Sequence, residues 1–410
     1  MAETGVATFL GEWEGYAVES VRRLAAGPTR PRPEIWIQLR PLAGYALRCS
    51  ACAQVVDQVH DVEERVVRDL PILEADTWLR VPRRRVACPR CGPKLELLEW
   101  LAPYARVTQR LSDSVARLCQ AVPLRQVASY FHLDWKTVKQ IDKRHLQARL
   151  GPVDVAGVEL LLMDEFAIQK GHRYATTIVD PSTKRVLWVG RGHTRESIRP
   201  FFELLGPRCA AIQAVVMDMS AAYEAEVRAH CPQAAIVFDL FHVVAKYGRE
   251  VIDRVRVDEA NRLRHDRHAR HVIKSSRWLL LRNKENLTRA VDRVRLRELL
   301  DANQALLTAY VLKDDLKHLW DFHYPKAARR FWAHWYARAM ASHLAPLRLF
   351  AQRLRPYLHG IIAHCRWPLH TSLLEGINNT IKVIKRRAYG FRDDEYFFLK
   401  IRAAFPGIGR

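Results

Sequence analysis

Apolar and polar positions alternate along residues 34–92, as in Ile35-Trp36-Ile37-Gln38-Leu39 and Trp78-Leu79-Arg80-Val81. A period of two puts successive side chains on opposite faces of a pleated chain, so this stretch predicts short antiparallel strands. Before it, residues 1 to about 30 follow neither the strand nor the helix period. They close on Gly27-Pro28-Thr29-Arg30-Pro31-Arg32-Pro33, which predicts an irregular segment ending in a stiff basic linker. From Leu95 to about Leu150 the period becomes helical. Strand and helix patterns then alternate from Val158 to His242. The chain from Val243 to about Leu358 reads as helix throughout, and a last helical segment runs from Thr371 to about Ala404. There is no internal repeat and no low-complexity tract.

The alternating region ends several of its strands on acids. Val158 to Met163 is a buried-strand pattern that runs into Asp164 and Glu165. His172 to Val179, a turn at Asp180-Pro181-Ser182-Thr183-Lys184 and Arg185 to Val189 complete a three-stranded meander. A helix at Arg195 to Leu205 is followed by Ala214-Val215-Val216-Met217-Asp218, and later by Ala235-Ile236-Val237-Phe238-Asp239. Acids at neighbouring strand ends meet on one sheet edge, where like charges repel unless a cation lies between them. That arrangement suits two-metal phosphoryl chemistry. Taken singly, each acid also fits a helix cap or a turn former, and Asp180 with its following proline is a turn residue. Glu165 reads as an exposed neighbour of Asp164. Further on, Leu373 to Arg387 forms an amphipathic helix with Glu375, Asn378, Asn379 and Lys382 on adjoining faces. Such a face serves metal and phosphate together, or is a solvated surface.

Composition narrows the choice of partner. The 410 residues exceed one ordinary core and predict two to four domains. Lys and Arg number 66 against 44 Asp and Glu, a net charge of +22. Such an excess favours a polyanion, because each neutralised phosphate releases condensed counterions; charge kept for solubility is the plainer alternative. The longest apolar runs, Val158 to Met163 and Ala210 to Met217, suit buried strands and are too short for a membrane span. The N-terminus carries an early acid and lacks a basic region before an apolar core, which argues against a secretory signal and for a cytoplasmic protein.

Four of the eight cysteines form two CxxC pairs, Cys49/Cys52 and Cys88/Cys91, separated by predicted strands. A CxxC turn offers two sulfurs to one edge of a tetrahedral ion, and Gly92 eases the tight knuckle. Four thiolates close the shell, so the Zn2+ they predict is structural. Cys119, Cys209, Cys231 and Cys365 are isolated and read as small buried residues. Between the pairs, Val81-Pro82-Arg83-Arg84-Arg85-Val86 is a basic strand, either a solvated sheet face or a phosphate contact.

Residues Val122 to Lys139 read as a helix, a turn and a second helix, with Asp134 as N-cap and Leu133 with Val138 as hydrophobic staple. Trp135, Lys136, Lys139, Gln140 and Lys143 are then candidates to enter the major groove.

Several segments together resemble bacterial insertion-sequence transposases of the ISL-three (ISL3) family, within the DDE superfamily. They are VPRRRVACPRCG, the helix-turn-helix, LLMDEFAIQKGHRYATTIVDP, VVMDMSAAY, VFDLFHVV, RNKENLT and LLEGINNTIKVIKRRAYGF. The resemblance covers nearly the whole chain. It implies a multidomain α+β and α/β protein: an irregular segment (1–33), a zinc ribbon (34–94), a helix-turn-helix domain (95–152) and a ribonuclease-H-like core. That core is split (153–245 and 366–410) around a helical insertion (246–365).

The resemblance further implies that Asp164, Asp218 and Glu375 are catalytic and bind Mg2+ or Mn2+, with Asp239 and His242 as an accessory pair. Lys136, Lys139, Lys143, Asn379, Lys382, Lys385, Arg386 and Arg387 are expected to contact DNA, together with the Arg-rich stretch from Arg249 to Lys284. The implied partners are double-stranded DNA, as inverted repeats and as target, and further copies of the chain. A DNA-binding regulator with a silent core, or another nuclease on the same fold such as a junction resolvase, are the alternatives.

Overall fold

The computed structural model describes residues 11–169, 171, 173–282, 284–369 and 372–408. His172, Thr371 and the first ten residues of the expected N-terminal segment lie outside them. The chain divides into two compact units, Met1–Gly151 with Lys385–Leu399, and Pro152–Ile384 with Lys400–Arg410.

In the first unit, β1 (Tyr16–Leu24), β2 (Glu34–Pro41), β3 (Val59–Ile72), β4 (Ala75–Cys88) and β5 (Gly92–Leu95) form one sheet in the order β1-β2-β4-β3, with β5 on β4. Ile35, Ile37 and Leu39 alternate inward and pack with Leu79 and Val81, as the period of two requires. Three features depart from the sequence expectation. The stretch expected to be irregular contains β1, which pairs antiparallel with β2. As an edge strand with most of its residues exposed, β1 shows little alternation. Strands expected to be short include β3 and β4, which make a single long hairpin of 14 residues each. Leu73 and Glu74 close it, both at positive φ (47° and 62°), so neither glycine nor asparagine marks the turn. Finally, β2 and β4 run parallel rather than antiparallel.

Three helices follow in this unit, α1 (Gln109–Leu118), α2 (Leu124–Phe131) and α3 (Trp135–Leu150). His132 takes a left-handed conformation (φ 52°) and ends α2. The Asp134 carboxylate then caps α3 by accepting from the Lys136 backbone N–H at 2.8 Å. Val127, Phe131 and Val138 bury the shared face, with Leu133 packed against them.

The second unit is built on β6 (Leu160–Gln169), β7 (Arg173–Asp180), β8 (Arg185–Arg191), β9 (Ala214–Met217) and β10 (Ala235–Phe238) in the order β10-β9-β6-β7-β8. The β6-β7-β8 meander is antiparallel, whereas β9 runs parallel to both β6 and β10. This mixed sheet with its central first strand is the ribonuclease-H-like arrangement. Helices α4 (Arg195–Leu205) and α5 (Ala221–His230) make the crossovers, and α6 (Leu240–Tyr247) leaves β10. The helical stretch then runs through α7 (Asp253–Arg262), α8 (Arg267–Ser275), α9 (Arg277–Leu281), α10 (Ala290–Ala302), α11 (Gln304–Lys317), α12 (Pro325–Ala341), α13 (Ala345–Leu354) and α14 (Leu358–Ala363).

One continuous core joins these helices to the sheet, from Leu161, Val215 and Phe238 to Tyr247, Trp335 and Phe350. Helix α14 lies so close to β10 that a Cβ on Gly360 would stand 2.4 Å from the Phe238 ring. The final segment is two helices rather than one. Here α15 (Ser372–Arg387) and α16 (Asp394–Ala404) are separated by Tyr389 and Gly390, both at positive φ (55° and 94°).

Candidate active site

Several acids of the second unit line one cavity of about 660 Å³. Asp164, Asp218, Asp239, His242, Glu375, Asn378, Asn379 and Lys382 all line it. Asp218 and Asp239 follow directly on β9 and β10, as the strand-end pattern predicts. Asp164 does not end its strand, because β6 continues to Gln169 and Asp164 pairs with Thr177 of β7. Its parallel pairing with β9 stops at Leu162, however. Asp164 is therefore the second residue past the end of the parallel ladder, close to the ends of the two shorter strands. Burial of Ile377, Ile381 and Ile384 fixes the rotation of α15 and leaves Glu375, Asn379 and Lys382 exposed on the cavity side.

Hydrogen bonds set the carboxylates in place. Oδ1 of Asp164 accepts from the Glu165 backbone at 2.8 Å, and Oδ2 accepts from Nδ2 of Asn378 at 2.7 Å. Oδ1 of Asp218 accepts from the Met219 backbone at 2.6 Å. His242 lies between two acids, with Nε2 3.9 Å from Asp164 Oδ1 and Nδ1 3.4 Å from Asp239 Oδ2. Burial pushes the Asp164 carboxyl above the usual carboxylate range, and the nearby Asp218 charge adds to this. The charge of His242 and the bonds from Glu165 and Asn378 pull the other way.

Among the described residues, the buried atoms Asp239 Oδ2, His242 Nδ1 and Asn378 Oδ1 of the residues lining this cavity have no hydrogen-bond partner. The Asp239–His242 approach is thus an ion-pair distance without hydrogen-bond alignment. The carboxylate and amide side chains that line the cavity offer oxygen donors, the hard type that Mg2+ or Mn2+ takes; among the described residues the carboxylate oxygens are not drawn within 4.8 Å of one another as the four thiols are.

The cavity also has cationic and apolar members that sequence reasoning did not place there. Arg249, Lys317 and Phe241 line it, and Phe241 is 62% exposed. Lys317 comes from the end of α11, and no local motif distinguishes it. Lys385, Arg386 and Arg387, expected beside Lys382, are not among the lining residues.

In the first unit, the Sγ atoms of Cys49, Cys52, Cys88 and Cys91 lie within 4.8 Å of one another. Among the described residues they are the group of potential metal ligands drawn together so tightly. Gly92 after the last of them has φ +69°. Burial works against ionisation of Cys88, yet the Cys91 and Arg90 backbone N–H groups and the neighbouring thiols bring it down to about 7. The basic strand between the pairs is neither a solvated face nor a phosphate contact at its centre. Arg83 and Arg84 are buried against Glu96, with Arg84 Nε donating to Oε2 at 2.8 Å. On α3, Lys136 is exposed, while Lys139 and Lys143 are half-buried and paired with Asp393 and Glu395.

No described helix is long and apolar enough to cross a membrane. Residues 161–401 match the ISL3 type of DDE domain, described as "Transposase". Residues 96–146 match the "Helix-turn-helix domain of transposase family ISL3". Residues 46–91 match the "zinc-finger of transposase IS204/IS1001/IS1096/IS1165". The transposase for insertion sequence element IS1001 of Bordetella parapertussis is 58% identical over 403 residues, 98% of each chain. The transposase for insertion sequence element IS1557 of Mycobacterium tuberculosis is 27% identical over 384 residues, covering 87% of this chain and 85% of the relative.

Proposed function

The chain belongs to the ISL3 family of transposases, and from that premise we propose that it cuts DNA at the ends of an insertion sequence and joins them to a target. Asp164, Asp218 and Glu375 are the catalytic carboxylates in this reading. The observation that carries it is their common cavity: residues from three distant segments line one space.

Asp164, Asp218 and Glu375 would hold Mg2+ or Mn2+ there. The chemistry a divalent ion supplies when bound is activation of the attacking oxygen and stabilisation of the leaving one. The first displacement puts a water oxygen on phosphorus and breaks the P–O3′ bond, leaving a 3′-OH on the element and a 5′-phosphate on the flank. The 3′ oxygen then attacks a target phosphodiester and displaces a second 3′ oxygen. Asn378 holds Oδ2 of Asp164, so the carboxylate keeps one orientation through both displacements. Arg249, Lys317 and Lys382 bring positive charge to the wall on which phosphates would lie.

The four cysteines would hold a structural Zn2+, and the helix-turn-helix would bind the inverted repeats. Two ends must be joined in one reaction, which calls for an assembly of copies on DNA in the cytoplasm. The test is Mg2+-dependent nicking of a duplex carrying the element's end. Asp164→Asn, Asp218→Asn and Glu375→Gln are each expected to lower it by at least about 10²-fold with end binding retained. Nicking that persists in one variant would remove that residue from the site. Binding without nicking by the unsubstituted chain would favour a regulator.

A further inference from the structure

The second helix of the helix-turn-helix carries more cationic and amide side chains than one groove-facing row accommodates, and the first unit sorts them into two sets. Val138, Asp142 and Leu146 are buried. On the opposite side of α3, Lys136, Gln140 and Arg144 follow one another at four-residue spacing and are all exposed, with Thr137 beside them. Among the described residues, these three side chains have no partner.

A second row, Lys139, Lys143 and Gln147, is engaged. Lys139 Nζ lies 3.0 Å from Asp393 Oδ2. Lys143 Nζ lies 3.3 Å from the same oxygen and 2.7 Å from Glu395 Oε2. Gln147 Nε2 donates to Glu395 Oε1 at 3.1 Å. The Tyr396 hydroxyl completes the contact by donating to the buried Asp142 carboxylate. The acids at the start of α16 thus already meet the donors that phosphate would otherwise take.

We propose that α3 reads the terminal DNA with Lys136, Gln140 and Arg144, and that Lys139 and Lys143 instead hold the 393–396 segment against the helix. This rests on the end-binding reading above. Recognition helices present their N-terminal residues to base edges, which favours Lys136 and Gln140. Gln140 has the donor and acceptor pair that matches N7 and N6 of adenine, and Lys136 suits the guanine O6/N7 edge. Arg144 lies two turns beyond Lys136, where a helix leaving the groove meets the phosphate backbone.

The experiment measures binding of the full chain, by fluorescence anisotropy over a salt series, to a duplex of the element's own terminal sequence and to a scrambled duplex. Gln140→Ala should weaken terminal-duplex binding about 10-fold and leave the scrambled duplex nearly unchanged. Arg144→Ala should weaken both and reduce the salt slope by about one. Lys139→Met and Lys143→Met should change affinity less than about two-fold while lowering the melting temperature. Glu395→Gln breaks the same contact without touching a lysine, and its DNA affinity should match that of the unsubstituted chain. Tighter binding by Glu395→Gln, or weaker binding with a shallower salt slope in the lysine variants, would overturn the assignment, because both would show masked phosphate contacts. Equal binding of the two duplexes by the unsubstituted chain would remove the end-binding reading itself, and the assignment with it.

Discussion

The side-chain amide of Asn378 donates to Oδ2 of Asp164 at 2.7 Å, joining positions 214 residues apart in sequence. One residue lies on the central strand of the mixed sheet, the other on the helix that carries Glu375. The bond ties that helix to the strand and sets the rotation of a buried carboxylate. The Asn378 amide oxygen is buried and has no hydrogen-bond partner among the described residues.

With Asp164 holding the metal as proposed, Asn378→Ala should lower cleavage by about 10- to 100-fold, the usual effect of removing a group that orients a metal-binding carboxylate. Asn378→Asp should do worse, since it sets a like charge beside Asp164. Single-turnover nicking across a Mg2+ titration measures both. A shift in the Mg2+ requirement with end binding intact is the expected signature, and an unchanged rate in Asn378→Ala would deny the residue its positioning role.

Lys313 gives a pH dependence that does not involve the cavity. It is 1% exposed, donates to the carbonyls of Leu280 and Arg282, and lies 4.3 Å from the Tyr310 ring centroid. Burial pushes its ammonium down to about 8. Between pH 8 and about 10.4 the unfolded chain binds more protons at this position than the folded one, so stability rises with pH across that window. The contribution is up to about 3 kcal/mol and is absent below pH 8, where both states are protonated. Melting temperatures of the parent and of Lys313→Met, compared from pH 7 to 10, should show the rise in the parent alone.

The cysteine cluster predicts one zinc per chain by elemental analysis, lost in Cys49→Ser or Cys91→Ser. Because ligand binding and folding are coupled at such a site, the loss should also unfold the ribbon around it. A folded chain without zinc would contradict the assignment.

Glu96 is a stability element rather than a DNA-binding one. Its carboxylate accepts from Arg84 and from Tyr16 and lies 3.6 Å from Arg83, all within the first unit. Glu96→Ala would leave two buried guanidinium groups uncompensated, a loss of about 3–5 kcal/mol. Denaturant unfolding should register it, and affinity for terminal DNA per folded molecule should not change.

Local structure was legible wherever one physical rule governed a segment. Helix α4 spans the predicted Arg195 to Leu205, and Thr194 caps it by accepting from the Ser197 backbone. Asp180 is the turn former its proline suggested, accepting from the Ser182 N–H and the Thr183 hydroxyl. Asp134 caps α3 as its position before the helix suggested. The hairpin at Leu73 and Glu74 escaped because its turn uses left-handed backbone without the residues that advertise it.

What the sequence alone determined were the periods, caps, turns and cysteine knuckles, because each depends on neighbours within a few residues. It also determined the family, through the order of its motifs. Only the tertiary structure decided which charges have company. It put Glu375 in the same cavity as Asp164, bonded Asn378 to Asp164, buried Arg83 and Arg84 behind Glu96, and placed Asp393 against Lys139. A charged residue looks alike in sequence whether it ends up in solvent, in an ion pair or at a cavity wall. The difference lies in partners that are dozens to hundreds of residues away, and only packing of the hydrophobic faces brings them together.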